Sequence, residues 1–415
     1  MRALRHFLID PSLRAAVAVL ILFGAILSSF APYLSILGVQ TFGLGDGGYS
    51  GFLVLSTLLS VSASVYFGIR ADQTSTRRPL VLVCGGAVFA AMLLMVAAPS
   101  AASFVLAHGI LFPVGSALFG QVFALIRLSC TVYPEADRAV IQGAARAAFA
   151  IPFAVVLPLW SIAFGRGMPV AGLYPVVLGM ATLLLLVMVL FWPADRGNAW
   201  DDRPSGLSLG HALAEIANPR HLLRIAALGA IAAAAMVYMA VVGLLLEPGA
   251  GRGPADVAIY VGSVAGLEVP FMILLPLMTR GWNRARLIAL GTCIYALHLL
   301  FMPLLASSPL LWLMVLPAAF GGAITLTLPI AYLQDLLADR PGTGSSLISL
   351  QWLAGNLFGA ACFAGGTALS GYGLVAVSGA ALSVLGAAAL LWADRRHLAP
   401  DPLRWDGTHK EGDTP

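Results

Sequence analysis

Twelve long apolar segments follow one another along this chain, and its arginines fall almost wholly in alternate gaps between them. Of the 23 Lys and Arg, all but Arg146, Arg166 and Arg252 lie on the side of the even-numbered gaps and the two chain ends. Hydrophobic residues make up 60% of the chain and charged ones only 10%, whereas a soluble domain carries about a quarter charged residues. Lipid must therefore be the solvent. A bilayer core of about 30 Å takes about 20 residues of helix, and a membrane barrel would instead show alternating segments of about ten residues. The segments read as helices over 15–38, 47–69, 79–98, 102–127, 139–163, 169–192, 221–246, 256–278, 286–304, 309–334, 345–369 and 372–393. The fold class is an all-α integral membrane protein, and the positive-inside rule places the arginine-rich loops and both termini in the cytoplasm.

The one long internal connection, Pro193 to Arg220, is polar and divides the helices six plus six. This gives an N-terminal six-helix bundle over 1–192, a cytoplasmic linker over 193–220, a C-terminal bundle over 221–397 and a disordered cytoplasmic tail over 398–415. Ala136-Asp137-Arg138 follows helix 4 and Ala338-Asp339-Arg340 follows helix 10, the same place in each half. Two six-helix halves related by an axis along the membrane normal form the major facilitator arrangement, in which the substrate site lies near the midplane between them. The dispersed basic residues fit topology and give no nucleic-acid patch. No phosphate-binding Gly-rich loop, metal-ligand pair or nucleophile elbow is present, so no enzyme activity, cofactor or metal is expected.

Glu268 is the sole carboxylate deep inside a predicted helix, near the middle of helix 8. An ionised side chain there costs several kcal/mol and faces an aqueous cavity or a partner. It could bind substrate, couple transport by taking up and releasing a proton on opposite faces, or simply bond a neighbouring helix. Arg146, about two turns into helix 5, carries a fork of donors suited to sugar hydroxyls or a carboxylate, and pairing with Glu268 across the halves is one reading. On helix 11, Trp352 and Asn356 are four apart and share a face. With Gln351 they offer the amide and aromatic groups that a hydroxyl-rich ligand needs, although interhelical packing accounts for the same residues. Gln121, Tyr33 and Tyr238 are weaker substrate-site candidates. His108 and His298 read as satisfied polar groups. Trp160, Trp192, Trp312 and Trp392 read as interfacial residues.

Loop 2–3 runs Gly68-Ile69-Arg70-Ala71-Asp72-Gln73-Thr74-Ser75-Thr76-Arg77-Arg78, which resembles the major facilitator signature, with Ser75 where glycine is usual and the basic pair one place late. The resemblance makes Asp72, Arg77 and Arg78 gating residues, with Asp72 facing the start of helix 11. Arg127, at the end of helix 4, reads as a gate or snorkelling residue. Further stretches sharpen the likeness: Gln121 to Arg127, Arg146-Ala147, Gly266-Leu267-Glu268-Val269-Pro270 and Leu333-Gln334-Asp335-Leu336. Over nearly the whole length these resemble the bacterial sugar efflux transporter family of the major facilitator superfamily, and the likeness adds Asp335 to the gating set. Near the end of helix 5 the family has Gly-Pro where Leu157-Pro158 stands here.

The resemblance implies export of sugars or sugar-like glycosides across the bacterial inner membrane by proton antiport, by a monomer that needs only its sugar, protons and the bilayer. A drug or metabolite exporter of the same fold is the alternative, and a non-transporting membrane sensor is a third.

Overall fold

The computed structural model describes residues 2–195, 197, 200, 219–246, 251–278, 282–336 and 341–395. Among them, twelve helices are long and apolar enough to cross a membrane. They are α1 (Pro11–Tyr33), α2 (Gly45–Thr74), α3 (Arg78–Ala97), α4 (Ala101–Val132), α5 (Val140–Gly165), α6 (Val170–Phe191), α7 (Leu222–Leu246), α8 (Pro254–Leu275), α9 (Arg284–Leu305), α10 (Pro309–Leu333), α11 (Leu350–Leu369) and α12 (Tyr372–Ala393). Each sits where its apolar segment places it. The expected tail, and most of the expected linker, lie outside the described residues.

One element was hidden by its charges. A short helix, Arg2–Ile9, precedes α1, and Asp10 separates the two. The Asp10 side chain accepts hydrogen bonds from the backbone N–H of Ser12 and Leu13 at 2.8 and 3.3 Å. Pro11 follows it in the first turn, where a missing N–H costs nothing.

The packing repeats with a period of six helices. α1 packs on α5 and α6, α3 on α6, and α2 on α4; six helices on, α7 packs on α11 and α12, α9 on α12, and α8 on α10. Each half is thus the same bundle. The halves meet along two seams, α5 against α8 and α2 against α11. The first seam explains the departure in helix 5: Leu157 and Pro158 pack on Gly262 of α8, where a Cβ would lie 3.1 Å from the Leu157 Cβ. The glycine that permits close approach stands on the opposite helix.

The displaced basic pair has a local explanation too. Ser75 ends α2 in the left-handed region, with φ 51°, and its N–H bonds to the Ala71 carbonyl. Among the described residues it is the sole non-glycine with positive φ. A left-handed L-residue costs about 1–2 kcal/mol. Ser75→Gly is therefore expected to raise stability by about 1 kcal/mol, read as a higher thermal unfolding midpoint in detergent. Asp195, beyond α6, then caps α3 by accepting the backbone N–H groups of Arg77 and Arg78 at 2.8 and 2.9 Å.

Candidate functional site

The site lies between the halves, and its walls follow from which face of each helix is already engaged. On α4, Ser116 bonds Ser60 of α2 at 2.8 Å, and Phe119 meets Phe149 of α5 with ring centroids 4.9 Å apart. Since α2 and α5 carry the two seams, the α4 face between them looks across to the second half. Gly120 lies on that face with nothing within 4 Å of a built Cβ, so it opens onto the cavity and is not the close-packing device its type suggests. Arg127, seven residues on, shares this face and is exposed. On α5, Ile151, Val155, Leu159 and Ile162 form an exposed apolar stripe suited to lipid. By helical periodicity Arg146 and Phe153 fall on the opposite side, so the exposed Arg146 faces the cavity.

Glu268 stands on the other wall. It lies fourteen residues, or about 21 Å at the helical rise, from the start of α8. Gly262 and Gly266 turn the opposite face of α8 to α5, and Glu268 points toward α10. Its carboxylate rests on Gly322, where a Cβ would collide with Oε1. Among the described residues it forms no ion pair. The suggested Arg146–Glu268 bridge is absent: α5 and α8 are in register with Ala154 beside Gly266, which sets Arg146 more than a turn closer to the arginine-rich face. On α11, Trp352, Asn356 and Phe363 fall on one stripe, and Phe363 meets Tyr49 of α2 at 5.2 Å. Trp352 and Asn356 are both half-buried, and the Asn356 amide donates to the Trp352 carbonyl at 2.9 Å. By helix face, Arg127 and Arg146 turn toward the space between the halves, Glu268 turns toward α10, and Trp352 and Asn356 lie on the α11 face that meets α2.

Other candidates lie elsewhere. Gln121 and Gln351 are buried among helices, each with an unpartnered Oε1. Tyr33 donates to the Pro254 carbonyl at 3.1 Å, joining the halves. Asp72 accepts from Arg77 at 2.9 Å, and Arg78 donates to the Val189 carbonyl at 2.9 Å. The Asp335 side chain lies outside the described residues. Trp160 is buried, with its indole N–H donating to Ser29 at 2.9 Å, and Trp192 is buried as well, so neither is an interfacial residue.

The halves are clasped at one end. Besides the Tyr33 bond, Ser161 donates to the Ala255 carbonyl at 2.9 Å and Tyr372 to Asp46 at 2.8 Å. All three belong to the arginine-poor ends of their helices. Between described residues, no hydrogen bond or ion pair joins the halves at the arginine-rich end. There each half is latched to itself. Tyr133 donates to Asp10 at 3.0 Å, and Tyr332 donates to Asp394, which also pairs with Arg224. Burial, then the bond to Asp10, pushes the Tyr133 hydroxyl up to about 12, so it remains a donor at neutral pH. The described polar contacts between the halves therefore lie at the arginine-poor ends, while the side chains of 276–281 and 334–349 at the other end lie outside the described residues.

Tyr238, a substrate candidate by type, is buried instead in a polar cluster inside the second half that sequence reasoning missed as a cluster. His298 of α9 has its ring centroid 5.1 Å from Tyr238 of α7, 5.5 Å from Tyr295 of α9 and 6.2 Å from Tyr260 of α8. His298 was expected to be satisfied and has no hydrogen-bond partner on either ring nitrogen, whereas His108 lies 3.1 Å from the Tyr174 hydroxyl. The available signal was Tyr295 and His298, three apart on an otherwise apolar helix.

This architecture is shared with solved transporters. The nucleoside transporter NupG superposes with a TM-score of 0.71 over 91% of this chain and 99% of its own, at 15% identity. A bacterial homolog of the human lysosomal transporter Spinster, in its inward-facing and unoccupied conformation, gives 0.73 over 93% and 97%, at 17% identity. The chain has the major facilitator fold. With that fold come the two repeated six-helix halves. No protein-family model matches the chain. In sequence it is similar to a Deinococcus radiodurans protein named "Putative sugar efflux transporter", 28% identical over 392 residues that span 93% of this chain and 98% of that protein.

Proposed function

We propose that the chain exports sugars or sugar-like glycosides across the bacterial inner membrane in exchange for protons, alternating between cytoplasm-open and outward-open forms. The observation that carries this reading is Glu268, an acid far from either membrane face, resting on Gly322 of α10 with no paired base among the described residues. A carboxyl there can cross between faces neutral and unload its proton on one side. The full-length likeness to a protein named as a sugar efflux transporter supports the substrate class.

In this reading the arginine-rich face and both termini are cytoplasmic by the positive-inside rule. The clasp of Tyr33, Ser161 and Tyr372 then lies on the outer side, which supports a cytoplasm-open form ready to load an exported substrate. Trp352 supplies an aromatic face, and Asn356 keeps its amide oxygen free for a hydroxyl. Arg146 and Arg127, neither in an ion pair among the described residues, offer donors nearer the mouth. Gln121 and Gln351, buried beside the cavity helices, would reach the substrate once the halves rearrange. Tyr33 would part from Pro254 in the same movement. Asp72, Arg77, Arg78 and Asp335 are the corresponding cytoplasmic gate. The molecule works as a monomer, since each half completes the other's cavity.

One observation favours the drug or metabolite exporter. Phe119, Phe123, Phe149 and Phe153 form a chain of ring contacts, 4.7 to 6.1 Å apart, beside the cavity, a surface that suits an apolar ligand. Counterflow in proteoliposomes, with labelled mono- and disaccharides and hydrophobic cations as rival ligands, tests the substrate class.

A further inference from the structure

The interior of the second half holds more unsatisfied polarity than a dry bundle tolerates. The hydroxyls of Tyr238 and Tyr260 and both ring nitrogens of His298 are buried and without a hydrogen-bond partner. Tyr260 and His298 have no exposed surface and Tyr238 has 2%. An unpaired buried polar atom is costly, and these four, two hydroxyls and the two nitrogens of one imidazole, would weigh against the fold if the space were dry. Native proteins resolve such clusters with enclosed water, each molecule making about three hydrogen bonds to otherwise unsatisfied groups.

The cluster has two ends. At the inner end the Glu268 carboxylate and the Tyr295 ring both border Gly322, whose missing side chain leaves the room that the carboxylate occupies. At the outer end Tyr260 meets Trp312 at 5.8 Å. Arg252 covers Trp312, 5.8 Å above its ring, and is held there by the carbonyls of Ala306 and Ser308 at 2.6 and 2.8 Å. This also accounts for an arginine on the arginine-poor side. At this end Asp256, one turn before Tyr260 on α8, pairs with Arg252 at 3.8 Å; α10 and α12 contain no Asp, Glu, His, Lys or Arg, Arg284 and Arg286 stand at the opposite end of α9, and the one such residue on α7, Arg224, is paired with Asp394 at that same opposite end.

We propose that Tyr238, Tyr260, Tyr295 and His298 enclose a resident water cluster that forms the proton path between Glu268 and the outer face, closed in this conformation by Trp312 beneath Arg252. The inference rests on the reading of Glu268 as the proton carrier. When the outer ends of the halves part, the plug loosens. A hydronium then hands its proton inward by successive hops, each breaking one O–H or N–H bond and forming another. The path returns to its neutral state, and Glu268 is left as a neutral carboxyl. Because the plug is shut while the cavity faces the cytoplasm, the path does not leak protons. These four side chains act through Glu268 and are positioning residues.

The test compares two transport modes in proteoliposomes loaded with a labelled disaccharide: counterflow, which needs no net proton movement, and accumulation driven by an imposed pH gradient. Tyr238→Phe/Tyr260→Phe keeps both rings and removes only hydroxyls, and His298→Asn keeps a polar group of smaller size. Both variants are expected to retain counterflow and to lose about tenfold or more of gradient-driven accumulation, a coupling change of ordinary size. A merely structural role would lower both modes together. If both modes fall together, or if both survive intact while Glu268→Gln loses its coupling, the water path is overturned. If Glu268→Gln itself keeps full coupling, the proposed function fails first.

Discussion

Glu268→Gln is expected to leave disaccharide counterflow near the wild-type rate and to reduce pH-gradient-driven accumulation by about tenfold or more, the scale of a typical coupling free energy. The substitution keeps the volume of the side chain and its ability to accept a hydrogen bond. It removes the one proton that this helix can carry between faces. The carboxylate lies against Gly322 and forms no salt bridge among the described residues, so no charged partner is left stranded by its neutralisation. The fold should survive, and the comparison between the two modes then isolates coupling. Equal losses in both modes would make Glu268 a substrate ligand or a packing group.

Gly321→Leu is expected to be the most damaging single change to stability. A Cβ at Gly321 would lie 2.7 Å from the Tyr295 nitrogen and 2.8 Å from the Gly291 carbonyl oxygen. Both are backbone atoms of α9 and cannot rotate aside. Overpacking ordinarily costs about 1–3 kcal/mol, and more where the backbone must move. We expect about 3 kcal/mol or more here, measured as loss of the thermal unfolding transition in detergent. An unchanged unfolding midpoint would show that α9 and α10 do not meet at this glycine.

The fold was legible because two one-dimensional signals, apolar length and arginine parity, each report on the bilayer and need no tertiary information. Apolar length placed all twelve spans, and their packing repeats with a period of six helices. Signals that depend on which face of a helix turns inward were harder to read. Arg146 and Glu268 both stood out as deep charges, yet their separation along the membrane normal follows from the α5–α8 register. That register is set by Gly262 beneath Leu157 and Pro158. Gln121 and Gln351 looked like ligand amides by type, and only packing shows them buried. Tyr33 looked like a ligand and closes the outer seam instead, because its partner is a backbone carbonyl 221 positions away. His298 was misread for a related reason: satisfaction of a polar group is a property of its neighbours, and three helices supply them. The left-handed Ser75 could be read in part, since the signature places glycine there.

The most direct measurement is transport of labelled disaccharide by the purified wild-type protein in proteoliposomes, with and without an imposed pH gradient and with hydrophobic cations as competitors. The account predicts saturable counterflow that unlabelled sugars inhibit and cations do not, and accumulation of the sugar on the side from which protons are drawn. Sugar flux indifferent to the pH gradient, or counterflow displaced by cations and not by sugars, would contradict it.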